Sequence, residues 1–109
     1  MAVRSLNLAN GGLVVANAPI TVFTCPAGRT VILKDVRLWV SGASSVSTVL
    51  AAGSPDGLVL LVNEVISPAA VRSLQPWIVL EPGHTLQMSQ NVANSVRYWL
   101  SGAELAGVA

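Results

Sequence analysis

Apolar and polar positions alternate with period two through Val36-Arg37-Leu38-Trp39-Val40 and again through Val96-Arg97-Tyr98-Trp99-Leu100. Period two is the signature of a β-strand. Val36, Leu38 and Val40 face one way, with Arg37 and Trp39 opposite; Val96, Tyr98 and Leu100 repeat this against Arg97 and Trp99. The two stretches continue as Ser41-Gly42-Ala43 and Ser101-Gly102-Ala103, so six of eight positions are identical. Ser-Gly is a turn signal and predicts the end of each strand. A Pro/Gly turn precedes each copy, Pro26-Ala27-Gly28-Arg29-Thr30 in one case and Pro82-Gly83-His84-Thr85 in the other. The chain reads as two related β units.

Residues 1–12, ending in Asn10-Gly11-Gly12, read as an N-terminal arm. Leu13 to Ala16 is a short apolar run closed by Asn17-Ala18-Pro19, and Ile20 to Cys25 alternates as a strand. Thr30 to Val40 is the longest strand candidate, but its alternation slips. Val31 and Leu33 stand in one phase and Val36, Leu38 and Val40 in the other, with Lys34-Asp35 between. A β-bulge there would turn all five apolar side chains to one face; a strand start buried on both sides is the competing explanation. Val46 to Ala52 alternates weakly and leads into Gly53-Ser54-Pro55-Asp56-Gly57, the clearest hairpin signal in the chain. Leu58 to Ile66 is rich in Val, Leu and Ile and predicts a buried strand. Val71 to Leu74 and Trp77 to Leu80 are short strands split by Gln75-Pro76, where proline predicts an edge or a corner. Thr85 to Ser89 places Leu86 and Met88 inward, Gln90 to Ser95 reads as polar loop, and residues 106–109 form a tail.

About eight short strands, turn signals at near-regular spacing and no substantial helix predict an all-β fold, an antiparallel β-sandwich of which a jelly roll is one form. The expected organisation is the arm, one domain over residues 13–105, and the tail.

Composition narrows what such a domain does. Of the 109 residues 52% are hydrophobic and only 10% charged, with a formal net charge of +1. A surface so poor in charge favours association, which suggests that other subunits cover part of it. Arg4, Arg29, Lys34, Arg37, Arg72 and Arg97 are interleaved with the carboxylates and form no phosphate-neutralising stripe, which argues against nucleic-acid binding. The longest apolar run, Leu58 to Val62, is far short of the roughly 20 residues of a membrane span. Cys25 is alone, so an intrachain disulfide is excluded.

No reaction centre emerges. His84 is the only histidine, which rules out a histidine metal cluster, and the only Cys–His dyad would be Cys25 with His84, which no motif supports. Cys25 reads as a small buried hydrophobe and His84 as a turn residue. The carboxylates show no glycosidase pairing, and the glycines lack the strand-to-helix context of a phosphate loop. The chain is expected to carry no catalytic residue, no metal and no cofactor. The candidate interaction surface is Arg37, Trp39, Arg97 and Trp99, with Trp77 besides, since Trp and Arg are enriched at binding hot spots. The alternative is that the rings pack beneath a loop under the arginine stems. Were the two copies neighbours in one sheet, the first four residues would form a single patch.

The segments Pro26-Ala27-Gly28-Arg29-Thr30-Val31, Leu33-Lys34-Asp35-Val36-Arg37 and Leu80-Glu81-Pro82-Gly83-His84-Thr85-Leu86 resemble those of small β-sandwich virion proteins of tailed bacteriophages. The resemblance spans about residues 20–105, rests on turn chemistry, and brings no functional residue with it. It implies a non-enzymatic structural component, a capsid decoration or minor tail protein made in the bacterial cytoplasm and located in the virion. The expected partners are further copies of the chain, with a trimer favoured, and other virion proteins such as the major capsid or tail proteins. The alternative is a carbohydrate- or receptor-binding module at a tail tip, with Trp39, Trp77 and Trp99 stacking on a host glycan.

Overall fold

The computed structural model describes residues 3–54, 57–68 and 70–106. They form nine strands: β1 (Val3–Gly12), β2 (Ile20–Thr24), β3 (Arg29–Val40), β4 (Val46–Ser54), β5 (Gly57–Ile66), β6 (Val71–Leu74), β7 (Ile78–Leu80), β8 (Thr85–Gln90) and β9 (Val96–Ala106). One sheet has the order β1-β9-β3-β6, with β7 also on β3; the other has the order β2-β8-β4-β5. Every pairing is antiparallel.

This order is one long hairpin rolled up. Its tip is the β4–β5 connection, and its two arms pair as β3 with β6 and β7, β2 with β8, and β1 with β9. Rolling the hairpin brings β9 against β3 and β8 against β4, and so divides the ribbon into two sheets. That is a jelly roll, the form of sandwich in which two Greek keys share a core. Between the sheets lie Val31, Leu33, Val36, Leu38, Val40 and Leu100 of the first, facing Val46, Leu50, Leu86 and Met88 of the second.

The slip in β3 is a bulge. Leu33 pairs with Gly102 and Asp35 with Ser101, leaving Lys34 as the extra residue. With that residue inserted, Val31, Leu33, Val36, Leu38 and Val40 are all buried. The edge placement implied by Gln75-Pro76 also holds, since β6 and β7 lie on the outer side of β3.

The two Pro/Gly turns are neighbours in space. Arg29 N donates to Pro26 O, with Gly28 at φ 73°, and His84 N donates to Glu81 O, with Gly83 at φ 86°. A positive φ at the third turn position is what a type II turn requires of glycine. The turns are joined by Cys25 N donating to His84 O at 2.8 Å and Gly83 N donating to Cys25 O at 3.0 Å.

Three segments differ from the sequence expectation. Residues 3–12 are no arm: they run along β9 as an edge strand, because β9 would otherwise present an open row of backbone groups. The short apolar run Leu13 to Ala16 lies outside the strands, with Leu13 buried and its N donating to Val96 O. The Ser-Gly dipeptide ends β3 but not β9, which continues to Ala106. A Cβ at Gly102 would run into the Ile32 carbonyl, so this glycine permits a close strand crossing instead of a turn. β5 is an edge strand, not a buried one: Val62 and Ile66 are covered while Val59, Leu60 and Val65 are exposed. Pro55 and Asp56 of the hairpin signal, and residues 107–109 of the tail, lie outside the described residues.

Candidate functional site on the outer face of the β3–β9 sheet

The two related segments meet. β3 and β9 pair with Leu38 opposite Tyr98, so Arg37 stands opposite Trp99 and Trp39 opposite Arg97. An antiparallel pair of like sequences places each arginine across from the other copy's tryptophan. The intervening Val36, Leu38, Val40, Val96 and Leu100 are all buried, which turns all four residues to the outer surface. The rows extend sideways: Val71 of β6 lies opposite Trp39 and Ser73 opposite Arg37, while Asn10 of β1 lies opposite Trp99 and Gly12 opposite Arg97.

Asp35, Arg37, Trp39, Val71 and Trp99 line an open depression of about 470 Å³. Trp99 is 46% exposed and Val71 64%, while Trp39 is half-buried. The Asp35 carboxylate is held on both oxygens, 3.4 Å from Arg37 Nε at Oδ2 and accepting from Gln75 Nε2 at 3.2 Å at Oδ1. The bulge swings Asp35 into this position, one residue out of step with the strand that precedes it. The result is an apolar floor of two indoles and a valine, bordered by the tethered Asp35 carboxylate and the Arg37 guanidinium. Such a surface stacks on flat apolar faces and forms planar, bidentate hydrogen bonds.

Trp77 stands apart from the depression, on the link between β6 and β7. It is 62% exposed, has φ 51°, and lies under Lys34 Nζ, which is 5.1 Å from the ring centroid. A positive φ is costly for a bulky side chain, and the cation–π contact with the bulge lysine is one interaction that holds it.

Cys25 and His84 are brought close by their turns, yet their side chains bond elsewhere. Cys25 Sγ donates to Leu80 O and Arg29 O, both at 3.4 Å, and His84 Nδ1 accepts from Glu81 N at 3.1 Å. Burial pushes the Cys25 thiol above its ordinary range, and the Glu81 and Glu104 charges add to this against a lowering hydrogen bond from the Val31 backbone. A thiol kept protonated is a poor nucleophile.

One polar residue that the sequence pattern does not single out is Gln90. Expected to begin a loop, it instead ends β8 and is 2% exposed. Its Nε2 donates to Val15 O at 2.8 Å, and its Oε1 accepts from Val96 N at 2.9 Å and Ser95 N at 3.3 Å. This side chain ties the 13–19 connection and the start of β9 to β8. The one signal for it is the period of β8, since Leu86, Met88 and Gln90 share one phase.

No protein-family model matches the chain, and no curated protein matches it. Solved structures share its fold at low identity. A protein of Bacillus endospore appendages, described as disulfide-linked pili, is 11% identical with a TM-score of 0.57, the match covering 98% of this chain and 88% of that one. A protein of infectious bursal disease virus is 11% identical with a TM-score of 0.55, over 94% of this chain and 32% of that one. The Drosophila NLP core, described in terms of pentamer formation and histone binding, is 12% identical with a TM-score of 0.51, over 94% and 97%. At these identities the fold is what is shared.

Proposed function

We propose that this chain is a non-enzymatic structural subunit of a bacteriophage virion, a capsid decoration or minor tail component that self-associates and docks on the particle. The observation that carries the reading is the joining of two Arg-x-Trp segments into one outward patch, Arg37, Trp39, Arg97 and Trp99. Exposed indoles cost solubility and gain nothing for a core, so a face that keeps them on a nearly uncharged protein is suited to being covered. The pilus, virus and pentamer-forming neighbours use this fold in assemblies, which supports self-association. A disulfide between subunits does not suit this chain, because Cys25 is 2% exposed, so its contacts would be non-covalent.

The test is co-sedimentation with purified particles. Trp99→Ala, which removes an exposed ring without opening the core, is expected to weaken retention about tenfold or more, as loss of a hot-spot residue does. Retention equal to the parent's would remove the patch from the docking role. A second reading is favoured by the depression itself: two indoles beside Asp35 and Arg37 would stack on and hydrogen-bond a pyranose of a host glycan, as in a receptor-binding module. Quenching or enhancement of tryptophan fluorescence by host glycans, lost in Trp99→Ala, would select that reading over docking.

A further inference from the structure

We propose that the β5 side of the sandwich is a homotypic joint, on which a second copy of this chain docks with β5 antiparallel to β5 about a two-fold axis. The proposal rests on the self-association reading and names the surface responsible.

β5 is the last strand of its sheet, with β4 on one flank and no strand among the described residues on the other. Its ten residues therefore present unpaired backbone donors and acceptors along a free edge. Natural edge strands are usually protected by brevity, lysine, proline or a covering element. Gly57 to Ile66 contains no lysine and no proline. A bulge at Leu61 and the single charge of Glu64, which is tied up by Arg72, are the devices it has. Val59, Leu60 and Val65 stand exposed at 63%, 58% and 65%.

The apolar character continues across the sandwich. β6 and β7 are the edge of the other sheet on this same side. Arg72 Nε of β6 is 2.6 Å from Glu64 Oε1 of β5, and Val59 shares a 230 Å³ crevice with Ile78, Val79 and Leu80 of β7. Trp77 and Val79 add to the three exposed residues of β5. Five of the ten exposed large apolar side chains among the described residues thus lie on this side.

Charge selects the occupant. Between positions 57 and 80 the only charged residues are Glu64 and Arg72, and they are bonded to each other. β5, β6 and β7 together carry no net charge, with Lys34 of β3 over the Trp77 ring at the margin, so a strongly charged partner finds little counter-charge, whereas a second copy meets little repulsion. An isologous contact also places each copy's Glu64–Arg72 pair near the joint with both signs present, so the ions can pair across it as well as within a copy. An antiparallel strand is the complement of an identical strand, which a two-fold axis supplies. The joint implies an even number of copies, in place of the trimer expected from a decoration role.

The experiment is solution mass by light scattering on the parent and on Val59→Lys/Val65→Lys, with circular dichroism to check folding. Alongside it, Asn63→Cys, at an exposed site near the middle of β5, is oxidised next to a Ser44→Cys control. The expected result is an even-numbered parent oligomer, half or less of that mass in the lysine variant, and a covalent dimer from Asn63→Cys alone. A parent oligomer unchanged by the lysines, with no Asn63→Cys dimer, overturns the joint while leaving self-association intact. A strict trimer does the same. A monomeric parent overturns both. A monomeric parent whose binding to particles is lost in the lysine variant also overturns it, since β5 would then accept a strand from another virion protein.

Discussion

Gln90 shows how one side chain does the work of several backbone bonds. Its carboxamide satisfies Val15 O, Ser95 N and Val96 N inside the molecule. Gln90→Leu keeps the volume and leaves those groups without that partner, at about 1–3 kcal/mol for each one that water does not reach. We expect the variant to lose at least about 2 kcal/mol in urea unfolding, with hydrogen exchange rising first at Val96. Cys25 makes a pH-dependent contribution. Its folded pKa lies above the ordinary 9.0 because burial disfavours the thiolate. As pH rises the unfolded chain therefore loses the proton first. The stabilisation is complete below that ordinary value and is lost as pH climbs through the raised one. Unfolding free energy should fall more steeply above about pH 9 in the parent than in Cys25→Ala; equal slopes would show the thiol to be uncoupled from folding.

At the scale of the element, the bulge in β3 matters more than the residue that forms it. Lys34 contributes a cation over Trp77, an interaction of about 0.5–1 kcal/mol at an exposed site, so Lys34→Ala should fold with a small loss. Deleting Lys34 is a different change. It removes the register shift between Leu33 and Asp35, and a one-residue slip in a strand exchanges its two faces. Either Val31 and Leu33 or Val36, Leu38 and Val40 would then point outward. We expect the deletion variant to be insoluble or molten by circular dichroism, and a cooperative thermal transition like the parent's would show that the bulge is dispensable. The same bulge sets Asp35 beside Arg37, so core phase and candidate site depend on one inserted residue. The strand periods, the proline edge and the bulge are legible in the order of residues alone. The exposure of β5 is not, because a run of Val, Leu and Ile reads as buried wherever topology places it.

Over the whole molecule, the rolled hairpin pairs the beginning of the chain with its end. Val3 lies opposite Leu105 and Gly12 opposite Arg97, while among the described residues β4 and β5 are the one pair of consecutive strands that pair with each other. Loop-closure entropy must be met before such contacts return any stabilisation. Refolding by stopped flow is therefore expected in the milliseconds-to-seconds range of non-local β proteins; microsecond folding would mean that local pairs dominate the transition state. The same topology leaves β5 at one edge, and it brings the two Arg-x-Trp segments together, although 60 positions separate Trp39 from Trp99.

By itself the sequence determined the all-β class, the inward faces of β3, β8 and the first half of β9, the two glycine turns and the position of the slip in β3. These follow from steric and hydrophobic preferences that act over a few residues and leave their period in the chain. It also marked Arg37, Trp39, Arg97 and Trp99 as a pair of repeats, without saying that they would meet. Tertiary structure decided the strand order, and with it three results no local period carries: the docking of β9 on β3 that makes one patch of four residues, the capture of residues 3–12 as a strand, and the exposure of β5. The physical reason is the same in each case. Which strand lies beside which is settled by the packing of two whole sheets over one core, a competition among non-local pairings to which each short segment contributes a face but no address.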